Sequence, residues 1–340
     1  MWRQTKEARL EAVLQSGQAL QDLVVGDSDW VDVFGAIHRA GAVLMFRPLK
    51  NLLGACLPAT VTGTVNGILI HASHPLALQR FTAAHELGHL LMGHSVRIDT
   101  EEQFLGRPDR GPGKRRDLEE VMADTFAANF LMPLGKVEGA ARRMNLGKED
   151  LDRPEAVYRL SLVFGVSYSA AAYHLASLDK IPRARAEELV RVRPKDIKQA
   201  ILGDETLLDP WADVWHLSKQ DDGQTLFPRG GDHLVIDLPC RASGGYLWQL
   251  ENPGDLGPIL SITGSTGPQR EETNLESRIG SSLPQRFGFL VGGEGQKEIL
   301  LAQRRPWEDG GEPLTRFKVK VAVTKKPDVG LAPEQRPIAA

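Results

Sequence analysis

The sequence predicts an α+β protein in two parts: a mainly helical N-terminal half built around a small sheet, and an all-β C-terminal sandwich. Three observations carry that expectation. Residues 76–94 and 118–131 place apolar side chains at helical spacing, with Leu76, Ala83, Leu87, Leu90 and Leu91 in the first and Val121, Phe126, Ala127, Phe130 and Leu131 in the second. Val43–Phe46 and Gly67–His71 are short strand-like runs, the second alternating and β-branched. From about residue 212, Gly and Pro punctuate six β-like runs, His233–Leu238, Tyr246–Leu250, Ile259–Thr263, Arg286–Val291, Glu298–Ala302 and Phe317–Val323. That spacing is typical of an antiparallel sandwich.

Taken in order, residues 1–24 and 28–41 read as two helices, the second capped at Asp27 or Ser28. Pro75 suits the first turn of the helix that follows it. Gly88 inside that helix costs about 1 kcal/mol relative to Ala and is expected where another element approaches the backbone closely. Pro133 ends the helix over 118–131. Between these two helices, residues 95–117 are polar and rich in Gly, Pro, Arg and Asp, which reads as a flap at a cleft rim or as plain disorder. Residues 154–181 form two helices broken at Gly165-Val166-Ser167, a spacing like that of a helix-turn-helix. Tyr168–Leu178 has no Arg or Lys to aim at phosphates or base edges, so packing within the N-terminal half is favoured over DNA binding. Residues 180–198 hold seven Lys/Arg against three Asp/Glu, a basic helical connector. The expected domains are therefore 1–180, a linker over 181–211, a sandwich over 212–326 and a disordered tail over 327–340.

The chemistry concentrates at His85-Glu86-Leu87-Gly88-His89. Histidines four apart lie one above the other on a helical face, so both imidazoles reach one cation, and Glu86 sits beside the open coordination position as a candidate proton acceptor. A catalytic zinc site takes three protein ligands. Glu120 is the candidate third; Asp124, one turn on, is placed to accept the free ring N–H of a ligating histidine. Glu119 and Asp117 are rival ligands whose helical phase relative to Asp124 is worse. His94 follows the motif by one turn and reads as a surface or supporting residue, not a fourth ligand. Tyr158, Tyr173 and His174 could stabilise an oxyanion but more often such residues are satisfied core polars.

Arg80-Phe81-Thr82-Ala83-Ala84 before this motif, with Glu120, Ala123-Asp124, Phe126-Ala127-Ala128 and Leu131-Met132-Pro133 after it, resembles the ImmA/IrrE metallopeptidases. Met45-Phe46-Arg47-Pro48-Leu49 resembles that family's first strand, and the similarity spans roughly residues 10–180. The resemblance implies a thermolysin-like domain, one Zn2+ per chain on a His-His-Glu site, and an intracellular regulatory peptidase whose substrate is a helix-turn-helix repressor, acting in stress response and transcription regulation. The family often carries Asn where this chain has Asp124, and either side chain accepts the histidine N–H.

In the C-terminal half, Gly244-Gly245-Tyr246-Leu247-Trp248 and Arg304-Arg305-Pro306-Trp307-Glu308 resemble loop signatures of chagasin-type cysteine-peptidase inhibitors, and residues 292–301 have that family's strand-into-loop rhythm. The resemblance implies an immunoglobulin-like sandwich whose loops, here about 241–246, 279–285 and 304–312, wedge into a papain-like cleft. Ser243, Gly244, Gly245, Tyr246, Trp248, Arg305, Pro306 and Trp307 are then the candidate partner-binding residues. The family's first loop reads Asn-Pro-Thr-Thr-Gly; here Ser243 and Gly244 stand in place of the threonines.

Composition narrows the classes further. Lys+Arg 41 against Asp+Glu 44 leaves a formal net charge of −3, which argues against an electrostatically driven nucleic-acid or membrane binder. No run approaches the eighteen or so apolar residues of a membrane span, and the charged N-terminus has no secretory core behind it, so the cytoplasm is the expected compartment. Cys56 and Cys240 read as incidental reduced thiols. Two functions compete: a zinc endopeptidase whose sandwich recruits, senses or restrains, and a binding protein whose sandwich engages a cysteine peptidase while the metal domain serves as scaffold.

Overall fold

The computed structural model describes residues 2–49, 52–63, 65–94, 98–100, 118–203, 205, 207, 209–267, 283–308 and 312–323. Contacts divide the chain into one unit containing Met1–Ala140 and Phe164–Ala186, and a second containing Ala141–Val163 and Glu187–Lys325. The helices run in the order α1 (Trp2–Leu23), α2 (Val33–Arg39), α3 (Ala59–Thr62), α4 (Leu76–Leu91), α5 (Leu118–Leu131), α6 (Leu134–Arg143), α7 (Pro154–Phe164), α8 (Tyr168–Ser177), α9 (Arg183–Leu189) and α10 (Pro194–Leu202). Among the described residues, no helix is long and apolar enough to cross a membrane.

The first unit holds a four-stranded sheet of β1 (Ala42–Arg47), β3 (Asn66–His71), β2 (Leu52–Leu57) and β4 (Ile98–Thr100), in that spatial order. β1 runs parallel to β3, whereas β2 is antiparallel to β3 and to β4. β1 and β3 lie where the sequence predicts strands. β2 escapes prediction because its apolar run, buried from Leu53 to Cys56, does not alternate. Residues 101–117 of the polar insertion lie outside the described residues, as does the tail over 327–340.

Phe46, Ile68, Ile70, Leu87, Phe126 and Phe130 are fully enclosed and form the core between the sheet, α4 and α5. Along α5 the expected apolar set is buried throughout. α1 lies along α5 and buries small residues, Ala8, Ala12, Ser16 and Ala19, which lets the two backbones approach.

Two helical details differ from the sequence expectation. α2 begins at Val33, not near residue 28, and is capped by Asp32, whose Oδ1 accepts from Gly35 N–H at 2.9 Å. The stretch ahead of it is held out of helix by Arg80: the guanidinium donates to the Val31 carbonyl at 2.9 Å and lies 3.8 Å over the Trp30 ring. α4 is not an amphipathic stripe either. Gln79, Arg80 and every residue from Thr82 to His89 are buried, and Leu91 is exposed. The helix runs through the interior, so its polar side chains face protein on all sides. Gly88 is where α5 comes closest; a Cβ there would sit 3.0 Å from the Phe126 ring.

The second unit contains two four-stranded sheets. One is ordered β5 (Val214–Leu217), β7 (His233–Cys240), β10 (Leu283–Val291), β9 (Leu260–Thr266); the other β6 (Thr225–Leu226), β12 (Thr315–Val323), β11 (Gly295–Arg304), β8 (Leu247–Leu250). All six predicted runs are strands. β5 and β6 are additional and join their sheets in parallel, so the arrangement is antiparallel except at one edge of each sheet. Gln285 of β10 ties the sheets together, accepting from Trp248 N–H at 2.8 Å and donating to the Trp248 carbonyl at 3.0 Å.

Helical residues also belong to this unit. Tyr158 of α7 accepts from Val214 N–H at 3.0 Å and donates to Asp213, and Arg159 pairs with Asp221 at 3.1 Å. Lys198 of α10 donates to the Ala212 carbonyl and pairs with Asp213 at 3.1 Å. Buried Asp232 gathers the N–H groups of Asp213, Arg229 and the Trp215 indole. Burial, followed by the Asp213 charge, still pushes its carboxyl above the ordinary range.

Candidate functional site

Helix α4 delivers His85, Glu86 and His89 to the interior, each 4% exposed or less. Four residues is about one turn, so the two imidazoles are neighbours, edge-on at 69°, and their Nε2 atoms come within 2.9 Å. α5 brings Glu120 across from them: its Oε1 lies 3.5 Å from His89 Nε2 and its Oε2 3.6 Å from His85 Nε2. Asp124, one turn further along α5, places Oδ1 3.0 Å from His85 Nδ1. Among the described residues these three donors, His85, His89 and Glu120, are the cluster able to hold a metal ion, with all ligand atoms within 4.8 Å of one another. Glu119 is not in that cluster, and Asp117 lies outside the described residues.

The donor set fits a tetrahedral zinc ion. Two nitrogens or oxygens bound at ~2.0–2.1 Å in tetrahedral geometry stand about 3.3 Å apart. The two Nε2 atoms are 2.9 Å apart, and the nearest Glu120 oxygens, Oε1 for His89 and Oε2 for His85, lie 3.5 and 3.6 Å away, so the three residues can gather around one cation once a single carboxylate oxygen turns toward it. Two neutral imidazoles and one carboxylate are also the ligand types zinc prefers in hydrolytic sites.

Glu86 lies beside strand β2. A Cβ built on Gly54 would sit 3.1 Å from Glu86 Oε1, and the Glu86 charge adds to burial in pushing the Cys56 thiol up to about 12. Cys56 and Cys240 are both buried and neither is in a disulfide. The carboxylate is thus set between the metal-ligand helix and the sheet.

His94, which the sequence left between surface and supporting roles, stands with its Nδ1 2.9 Å from His89 Nδ1. The three residues considered for an oxyanion are engaged elsewhere. His174 Nε2 meets the Met132 carbonyl at 2.9 Å, and burial lowers its pKa. Tyr158 is bound within the second unit. Tyr173 lies under the Arg183 guanidinium at 4.6 Å.

In the sandwich, Ser243 and Gly244 fall in a single 3-10 turn, Ala242–Gly244, and Gly245 follows with φ +77°. The loop after β11 is braced against it. Trp307, 68% exposed, covers Gly245 so closely that a Cβ there would meet the indole at 2.2 Å. Arg305 donates to the Gly244 carbonyl at 3.2 Å, stacks 4.6 Å over Tyr246 and pairs with Glu308 at 2.7 Å. Pro306 and Ser243 are exposed. Trp248 departs from the loop surface expected for it: it is 3% exposed and its indole N–H donates to the Pro239 carbonyl, because its strand turns the ring inward. Of the expected middle loop, 279–282 lie outside the described residues and 283–285 belong to β10.

Residues 37–176 match the IrrE N-terminal-like domain of peptidase family M78, and residues 229–321 match the chagasin family of peptidase inhibitors, I42. The chain therefore carries an IrrE/ImmA-like M78 domain toward its N-terminus and a chagasin-family inhibitor domain toward its C-terminus. Amoebiasin-2 of Entamoeba histolytica is 27% identical over 113 residues, 33% of this chain and 88% of that protein. The crystal structure of the cysteine protease inhibitor EhICP2 from the same organism is 26% identical with a TM-score of 0.28, covering 33% of this chain and 97% of that one. PbICP-C, solved in complex with falcipain-2, is 21% identical with a TM-score of 0.19, covering 33% and 89%.

Proposed function

We propose that this chain is a zinc-dependent endopeptidase acting on a protein substrate in the cytoplasm, with a C-terminal inhibitor-like sandwich that recognises or regulates. The observation that carries the reading is the meeting of His85 Nε2, His89 Nε2 and a Glu120 oxygen around one point, with Glu86 on the same helix. The match to peptidase family M78 supports it.

A zinc ion held there would supply a Lewis acid that polarises the scissile carbonyl and lowers the pKa of water toward 7. The protein's own part falls to two groups. Glu86 takes the proton of the attacking water and hands it to the leaving amine nitrogen, which completes the hydrolysis. Its burial against α4 and Gly54 keeps that carboxylate in one orientation, so the proton transfer needs no search. Asp124 accepts the Nδ1 proton of His85 and fixes that imidazole with its Nε2 lone pair inward. By the resemblance of its motifs, the substrate class is a helix-turn-helix repressor.

The test is Glu86→Gln in the full chain. Zinc content by metal analysis should match wild type, while turnover falls by several orders of magnitude. Comparing the proteomes of cells carrying each form then identifies fragments present only with Glu86. Equal cleavage by both forms would remove Glu86 from the mechanism.

A second reading has its own observation. Trp307 and Arg305 are held by Gly245, Gly244 and Tyr246, so two loops present an exposed indole and a guanidinium on a preformed base. Such anchors suit a protein partner, and the chagasin-family match makes a papain-like cysteine peptidase the class to try. Inhibition of a papain-type peptidase by the full chain, abolished in Trp307→Ala, would support it; no inhibition at micromolar chain would end it.

A further inference from the structure

We propose that His94 is a positioning residue for the metal site: its imidazole accepts the Nδ1 proton of His89 and so holds His89 in the tautomer whose Nε2 lone pair faces Glu120 and His85. This rests on the zinc-site reading above and deepens it. The geometry begins at the end of α4. Met92 caps the helix, Gly93 takes φ +66°, and two reversed hydrogen bonds close the turn, Gly93 N–H to the Leu90 carbonyl at 3.3 Å and His94 N–H to the His89 carbonyl at 3.0 Å. This paired closure is a Schellman motif, and it folds residue 94 back over the last helical turn. The two rings then meet edge-on, with centroids 5.0 Å apart and planes at 71°, and the two Nδ1 atoms are 2.9 Å apart.

The tautomers follow from which nitrogen faces what. His89 Nε2 looks toward His85 Nε2 and Glu120, where a cation requires a lone pair. A neutral imidazole with its lone pair on Nε2 carries its proton on Nδ1. His94 Nδ1 is the atom in hydrogen-bond range of that proton, so His94 accepts there and carries its own proton on Nε2. His85 Nδ1 faces a different group, the Asp124 carboxylate at 3.0 Å. Both candidate ligands are therefore backed at Nδ1, one from α5 and one from the cap of their own helix. Groups that hold a ligating histidine in this way typically contribute 10–100-fold to metal affinity.

The experiment measures zinc affinity of the full chain by competition with a chromophoric chelator. It compares wild type, His94→Phe, which keeps a ring but offers no acceptor, and His94→Asn, whose Oδ1 occupies roughly the position of the lost Nδ1. The expected result is about a 10–100-fold weaker dissociation constant for Phe and a value within about threefold of wild type for Asn. The metal-free proteins should unfold at the same temperature. If Phe does not fold, His94→Ala must show the same loss against the same Asn rescue. A ring that only packs would give the reverse order, with Phe tight and Asn weak, and that order would overturn the assignment. Zinc binding by wild type with equal binding by Phe would overturn it alone; no zinc binding by wild type would overturn the metal-site reading and this inference together.

Discussion

Arg80 is the buried charge on which the placement of α4 depends, and removing it should be expensive. Its side chain is 1% exposed. Burial, partly offset by the Asp32 charge, lowers its pKa from 12.5 to about 9. Against it stand hydrogen bonds to the Gly165, Val31 and Phe164 carbonyls at 3.0, 2.9 and 3.2 Å, and the Trp30 face at 3.8 Å. Charge-assisted bonds contribute about 1.5–3 kcal/mol each and a desolvated cation–π contact up to ~2. Arg80→Met removes the desolvation cost but takes the guanidinium donors from three carbonyls, at about 1–3 kcal/mol apiece. Three bonds lost at that rate come to about 3–9 kcal/mol, and recovery of part of the desolvation cost leaves an expected net loss of about 3–5 kcal/mol. Arg80→Lys should recover less than about half, since one ammonium cannot span three acceptors in a plane. Urea unfolding of the metal-free protein, followed by far-UV circular dichroism, reads both. A Met variant within 1 kcal/mol of wild type would refute the reasoning, because the carbonyls would then be satisfied without the guanidinium.

Three further outcomes are expected. Glu120→Ala should lower zinc content below one per chain while Glu119→Ala leaves it unchanged, measured by metal analysis after dialysis; the reverse pattern would exchange the ligand. Gly245→Ala should displace the Trp307 indole, since the new Cβ falls 2.2 Å from it at φ +77°, and should cost about 1–2 kcal/mol with loss of any peptidase inhibition; unchanged stability and inhibition would show that the loops do not brace each other. Asp237 gives a pH signature: burial would raise its carboxyl, but hydrogen bonds from His216 and Arg286 outweigh it and hold it at about 2, below the usual 3.8. A depressed acid stabilises above its unfolded pKa and loses that stability as pH falls through its folded pKa. About 2 kcal/mol should therefore disappear between pH 4 and pH 2 in wild type and not in Asp237→Asn, by urea midpoints at each pH.

The fold was readable where side chains alternate or repeat against one face. β12 is the clear case: from Thr315 to Val323 buried and exposed residues alternate over its first half, whereas the other sandwich runs show through the Gly and Pro that punctuate them. It was unreadable where both faces are covered or the element is very short. β2 is apolar without alternation, and β6 is two residues long, so neither has a period to detect. α4 shows the stronger limit. Its periodicity pointed to a leucine stripe, yet the residues packed deepest include Gln79, Arg80, Thr82 and Glu86, while Leu91 faces outward. Hydrophobic pattern identifies a helix on a core; a helix inside the core buries whatever it carries, provided each polar group finds a partner.

The same distinction governs the candidate site. His85 with His89, and Glu120 with Asp124, are both four apart on single helices, so helical geometry alone aligns each pair. The sequence does not place one helix against the other, so it leaves Glu119 as an alternative; in the structure the Glu120 oxygens lie 3.5 and 3.6 Å from the imidazoles. His94 was harder because its place depends on a chain reversal. The local signal was Gly93 directly before it: a glycine just past a helix end allows the left-handed turn that sends the next residue back over the final turn. Trp248 and Trp307 make the converse point. Both lie in aromatic-rich segments near Gly or Pro, yet one indole bonds to the Pro239 carbonyl inside the sandwich and the other is two-thirds exposed over Gly245. Strand register turns Trp248 inward, whereas Trp307 lies in the turn after β11, where no pleat aims its ring at the core.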